Sequence, residues 1–140
     1  MMVALRVLIM ERDGALASQV AALLEEAGFD VAKSADLHDG LKKLYEACPD
    51  LIIAGTDLPK VNGENALLQL RLATYVPILA LGHREETVEA LELGMDGFIT
   101  RPPGARELVA RVRSLLRRKQ MFTAPGAVRG RNNGGSSGGR

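Results

Sequence analysis

Cysteine occurs once, at Cys48, so no internal disulfide can form and there is no cysteine spacing that would hold a metal. Between a helix-patterned stretch and an apolar run, such a lone thiol is expected to act as a small apolar residue. Tryptophan is absent and aromatic residues make up only 4% of the chain. No apolar run approaches the roughly 18 residues needed to cross a bilayer. The stretch from Met1 to Met10 carries Arg6 and is followed by Glu11 and Arg12, which does not suit a cleavable signal. The expected address is the cytoplasm. Acidic residues are missing from one part of the chain altogether. Residues 1–118 hold 14 Lys and Arg against all 17 acids, a net of −3, whereas residues 119–140 hold four basic residues and no acid, a net of +4. From Pro125 the sequence reads PGAVRGRNNGGSSGGR, a composition unable to bury enough surface to offset chain entropy. The expected division is a folded domain over 1–119 and a flexible linker or tail over 120–140.

The folded part alternates short apolar runs with segments of helical period. Leu5 to Met10 (LRVLIM) is a strand candidate, and Leu16, Val20, Leu23, Leu24 and Ala27 then recur at helical spacing, with Asp13 as N-cap and Gly28 where a left-handed residue ends a helix. A second cycle pairs a strand near Asp30 to Ser34 with a helix capped by Asp36, turning Leu37, Leu41 and Leu44 inward. A third pairs LIIA at Leu51 to Ala54 with a helix over Asn65 to Ala73. Pro77 to Leu81 leads to a helix near Glu85 to Leu93 closed by Gly94, and Gly97 to Thr100 leads to Ala105 to Arg118. Strands that are apolar almost throughout are buried on both faces, which implies a parallel sheet with crossover helices on each side. Right-handed crossovers give a doubly wound, flavodoxin-like sheet of five strands in the order 2-1-3-4-5, an α/β fold. Its functional site is expected at the carboxyl ends of strands 1 and 3, at Glu11 to Asp13 and Gly55 to Asp57.

At those positions the sequence resembles the receiver domain of bacterial two-component response regulators, over residues 5–118. The resemblance is carried by VLIMERD at Val7 to Asp13, by PDLIIAGTDLPKVNG at Pro49 to Gly63 and by ELGMDGFITRPPGARELVARVRSLLRR at Glu92 to Arg118. Its wording is nearest to regulators that carry a winged-helix DNA-binding domain after the receiver. The resemblance implies a carboxylate nucleophile four residues before Pro59, which here is Gly55, since an acyl phosphate requires an attacking aspartate oxygen. It also implies an acidic pair after strand 1 for Mg²⁺, here Glu11 and Arg12, a hydroxyl ending strand 4, here Gly82, and a lysine ending strand 5, here Arg101. Pro102 follows Arg101 as the family's proline follows its lysine, where a cis peptide shapes the pocket loop. Phe98 stands at the family's aromatic switch position, and core packing is its simpler role. These substitutions lead to the expectation of a phosphorylation-independent interaction or dimerisation module in signalling or transcription control. No acyl phosphate, no enzymatic activity, no cofactor and no pocket Mg²⁺ are expected of it.

Three other functions compete with that expectation. Asp57 could accept phosphate with Glu11 and Asp13 holding a metal. Against this, two residues of strand-like rise displace a carboxylate by roughly 6 Å. Small-molecule catalysis by His38 or His83 finds no Ser, Cys or second His at useful spacing, and both read as solvent-facing. Asp50, Glu64 and the Glu85 to Glu86 pair read as helix-cap or surface charges. Direct nucleic-acid binding could use Arg106, Arg111, Arg113, Arg117, Arg118 and Lys119, yet no aromatic residue interleaves with them to stack bases.

The partner expected from the resemblance is another protein or a weak homodimer, met through the fourth helix, fifth strand and fifth helix, with DNA reached only through a following effector domain. The charges of that face are Glu92, Asp96, Glu107, Arg111, Arg113 and Arg118, beside Phe98. Glu92 and Arg113 match one intersubunit pair of the family, Thr87 stands where Glu107 would seek a cation, and Arg111 is left to find Asp96. In the pocket Glu11 and Asp13 face Arg12 and Arg101, a formal sum of zero, the alternative being that Arg12 points to solvent. Arg101 has a planar fork able to hold Glu11 bidentately, which would remove the electrostatic need for a metal.

Overall fold

A computed structural model describes residues 3–123, with side chains as far as Lys119. Its strands are β1 (Arg6–Met10), β2 (Asp30–Ser34), β3 (Leu51–Gly55), β4 (Ile78–Gly82) and β5 (Gly97–Thr100). They form one parallel sheet in the order β2-β1-β3-β4-β5. The helices are α1 (Gly14–Glu26), α2 (Leu37–Ala47), α3 (Ala66–Ala73), α4 (Thr87–Glu92) and α5 (Ala105–Thr123).

Successive strand residues point to opposite faces, so continuous apolar strands supply two cores. Val7, Ile9, Leu51, Ile53, Leu79, Leu81 and Ile99 pack with α1 and α5. Leu8, Met10, Ile52, Ala54, Ile78, Ala80 and Phe98 pack with α2, α3 and α4. Phe98 is buried among Ala90, Met95 and Leu58 in the second cluster.

Side-chain caps begin three of the helices. Asp13 accepts from the amides of Ala15 and Leu16, Asp36 from Asp39, and Asn65 from Leu67 and Leu68. Gly28, with φ +97°, ends α1 as Phe29 N–H returns to the Leu24 carbonyl at 3.1 Å, and Gly94 closes α4 with φ +98°. Cys48 is exposed and takes the left-handed position after α2.

Two boundaries differ from the sequence expectation. The segment from Glu85 to Leu93 is not one helix: a 3₁₀ turn over Arg84–Glu86 precedes a short α4. The turn forms because Glu86 folds back to accept from the amide of His83. The last helix also runs past Arg118 to Thr123. Gln and Met at 120 and 121 are good helix formers, and the Gly-rich composition begins only after them. The remainder of the expected tail lies outside the described residues. Among the described residues no helix is long and apolar enough to cross a membrane.

Candidate functional site

The carboxyl ends of the central strands converge because the register is parallel: Met10 of β1 stands beside Ala54 of β3, and Gly55 beside Leu81 of β4. Glu11 leaves β1 at this edge and is 1% exposed, the one buried acid among the described residues. Its Oε2 accepts from the amide of Asp13 at 2.8 Å and from Arg101 Nη2 at 3.3 Å. Oε1 is buried with no hydrogen-bond partner. Burial pushes the Glu11 carboxyl above its ordinary range. The Asp13 amide opposes this, Asp57 adds to it, and Arg101 opposes it again.

Arg101 does not hold Glu11 bidentately. Its fork is divided: Nη2 pairs with Glu11, while Nη1 lies 3.1 Å from Asp57 Oδ1. The second contact is an ion pair without hydrogen-bond geometry, since Nη1 makes no hydrogen bond. Burial lowers the Arg101 pKa, but the fields of Glu11 and Asp57 outweigh it and the guanidinium is held firmly charged. The Arg101–Pro102 peptide is cis, and Pro102 itself is exposed.

Arg12 takes no part in the pocket. It is exposed and, among the described residues, has neither a hydrogen bond nor an ion pair. The reason is strand geometry: residues 11 and 12 leave β1 in opposite directions, so when Glu11 turns in, Arg12 turns out. Asp13 is exposed and spends Oδ1 on the α1 cap. The charges that face one another are therefore Glu11, Asp57 and Arg101, not two acids against two arginines.

Asp57 corrects the distance expected from the sequence. Its backbone is two residues beyond Gly55, yet its side chain turns back. A Cβ built on Gly55 would lie 3.2 Å from Asp57 Oδ1 and would collide with Glu11 Oε1. Rise per residue describes the backbone, whereas a loop after the strand lets the carboxylate return to the strand end. The space left by a missing side chain at 55 is thus occupied by two carboxylates.

Thr56 and Glu86 also belong to this site, although sequence reasoning singled out neither as a pocket residue. A Cβ on Gly82 would collide with Thr56 Oγ1, and would lie 2.7 Å from Glu86 Oε1. Thr56 donates to that carboxylate oxygen at 2.7 Å. A glycine at each of two strand ends, with a hydroxyl and carboxylates beside them in the chain, was the available signal.

The donor set does not suit the divalent metal that the family implies. Glu11 Oε1 is an orphaned buried oxygen, which a cation would favour. Glu11 and Asp57, however, already share a guanidinium, Asp13 caps a helix, and among the described residues no group of three His, Cys, Asp or Glu could hold a metal ion. The side chains of His38 and His83 are exposed, and His83 meets the site through its amide, which donates to Glu86.

The response regulator receiver domain family matches residues 7–113. The chain belongs to this receiver family. Sensory transduction protein RegX3 of Mycobacterium tuberculosis is 36% identical over 115 residues, covering 80% of this chain and 51% of that protein. DNA-binding response regulator MtrA of Mycobacterium leprae is 38% identical over 116 residues, covering 81% of this chain and 52% of that protein. The receiver chain thus spans about half the length of the curated relatives it matches. Among solved structures, the receiver domain of Francisella response regulator 1452 superposes with TM-score 0.71 at 27% identity, covering 81% of this chain and 98% of that one. A receiver domain protein from Clostridium thermocellum, at 22% identity and TM-score 0.74, covering 85% of this chain and 99% of that one, supports the fold alone. The relatives named as response regulators and the receiver family match overturn the expectation of a phosphorylation-independent interaction module. The position of Asp57 removes the distance argument that had been set against it as an alternative acceptor.

Within the chain, several charges of the α4, β5 and α5 face already have partners. Arg111 pairs with Glu107 on its own helix at 3.3 Å, and Asp96 pairs with Arg71 at 2.9 Å while accepting from the amide of Ile78 at 2.8 Å. Residues four apart on a helix are neighbours, so Glu107 captures Arg111 first. Arg113 turns toward α1, lining a groove with Leu5, Phe29 and Arg117. Arg118 donates weakly to the Asp96 carbonyl at 3.4 Å, and Lys119 lies 3.9 Å from Asp50. Arg106 borders a second shallow groove against α1.

Proposed function

We propose that this receiver accepts a phosphoryl group on Asp57 and serves as the regulatory part of a cytoplasmic two-component regulator of transcription. The observation that supports this most is the return of Asp57 Oδ1 to within 3.2 Å of the Cβ position of residue 55, beside Arg101. In the transfer one Asp57 oxygen attacks phosphorus, the donor's bond to phosphorus breaks with its electron pair leaving on the donor, and an acyl phosphate remains. Arg101, held charged and preorganised by Glu11, offsets the charge gathered there, the task a metal would otherwise perform. The role is signalling and not substrate turnover.

Output is proposed to pass through α4 and its neighbours, where Val88, Leu91 and Glu92 are exposed, to a protein partner or a second copy. DNA contact is proposed only through a further effector domain, on the strength of relatives named as DNA-binding response regulators. Acetyl phosphate and intact mass test the acceptor. One phosphoryl group on wild type, lost in Asp57→Ala, is the expected result. No gain on wild type, or a gain kept in Asp57→Ala, would remove Asp57 as acceptor.

A further inference from the structure

The loop that carries Asp57 is tied to the head of α4 by a single carboxylate. Glu86 Oε1 accepts from the Thr56 hydroxyl at 2.7 Å and from the His83 amide at 2.8 Å. Glycine at 82 makes the room for this, since a side chain there would run into both Thr56 and Glu86. The hydrogen bond from Thr56 holds the Glu86 carboxyl below its usual range against the opposing effect of burial, and the His83 amide and Arg101 add to the lowering. An oxygen anion is therefore already seated where a hydroxyl, an amide and the field of Arg101 meet. A phosphoryl group on Asp57 would bring three more anionic oxygens to the same neighbourhood, where Arg101 pairs with Asp57 at 3.1 Å.

We propose that Glu86 is an internal competitor for the phosphoryl group, and that the Thr56 hydroxyl passes from Glu86 to a phosphoryl oxygen when Asp57 is modified. The proposal rests on Asp57 being the acceptor. Loss of the Thr56 bond, together with repulsion between the carboxylate and the phosphoryl oxygens, frees Glu86 from the strand end. The 3₁₀ turn over Arg84–Glu86 then loses its tie to the pocket, and the first residues of α4 move. No proton changes hands; one hydrogen bond is exchanged for another.

The experiment follows the initial rate of acetyl-phosphate labelling by intact mass in the full chain, for wild type, Glu86→Gln, Thr56→Val and Thr56→Ser. Amide shifts of residues 83 to 87 are recorded before and after labelling. Glu86→Gln is expected to label faster by roughly three- to tenfold, the scale of one hydrogen bond. Thr56→Val is expected to label more slowly by a similar factor and to lose the shift changes at 83 to 87, whereas Thr56→Ser retains both. Wild-type rates in Glu86→Gln and Thr56→Val, with the 83 to 87 amides unmoved on labelling, would overturn the proposal and leave Glu86 a helix cap. A wild type that takes no phosphoryl group at all would instead remove the acceptor assignment, and this proposal with it.

Discussion

Removing the Arg101 guanidinium should reveal how strongly the pocket depends on it. The side chains of Arg101 and Glu11 are 12% and 0% exposed, with Nη2 and Oε2 3.3 Å apart. At an effective dielectric constant near 20 their gross attraction is about 5 kcal/mol, most of it offset by desolvation of the two groups. In Arg101→Ala, Glu11 keeps the Asp13 amide at 2.8 Å but loses its cation, and it can limit the penalty by taking up a proton. The expected loss of stability at pH 7 is therefore about 2 to 3 kcal/mol, below the roughly 3 to 5 kcal/mol of a buried pair broken without relief. Glu11→Gln removes the attraction and the desolvated charge together and should change stability by less than about 1 kcal/mol. Urea melts of wild type, both single variants and the double variant form a cycle, read at constant m. A coupling of at least about 1 kcal/mol is expected, while additivity within about 0.5 kcal/mol would show that the two groups do not sense one another.

Three further outcomes follow from the same geometry. Labelling by acetyl phosphate should proceed in EDTA as in Mg²⁺, and Mg²⁺ should leave the melting temperature unchanged; a requirement for the ion in either assay would show that Glu11 and Asp57 release Arg101 to bind it. Because the Glu11 pKa is raised in the folded state, the folded protein holds the proton more firmly above pH 4.5. The stability of wild type relative to Glu11→Gln should accordingly fall as pH rises through that region, and a rise in denaturation midpoints would contradict the direction. Gly55→Asp, which restores an acid at the strand end, should destabilise by about 1 to 3 kcal/mol, because its Cβ meets Glu11 Oε1; an unchanged denaturation midpoint would mean that Glu11 moves aside freely.

The strands were legible because their apolar runs are bounded by turn residues, and the starts of α1 and α2 because Asp13 and Asp36 have few other uses at those places, whereas Asn65, read as the first helical residue, caps α3. Gly28 and Gly94 marked their helix ends for the same local reason. The split before α4 was not legible, since it depends on a side chain reaching back to His83 and Thr56, which helical periodicity does not record. In the pocket, the residue types that depart from the family could be read directly from position. Their consequence could not, because glycine at 55 and 82 acts through the space it leaves, and only folded coordinates show which neighbours enter it. Arg12 illustrates the opposite error: adjacent to Glu11 in sequence, it leaves the strand on the other side. Within the chain Arg111 and Asp96 each have a partner, Glu107 on the same helix and Arg71 at the end of α3, that the resemblance did not point to.

The chemical identity of the acceptor can be read in one measurement. Borohydride reduces an aspartyl phosphate to homoserine, so wild type treated with acetyl phosphate, reduced and digested should yield homoserine at position 57. Homoserine at Asp13 or elsewhere, or none in a labelled sample, would contradict the assignment of Asp57.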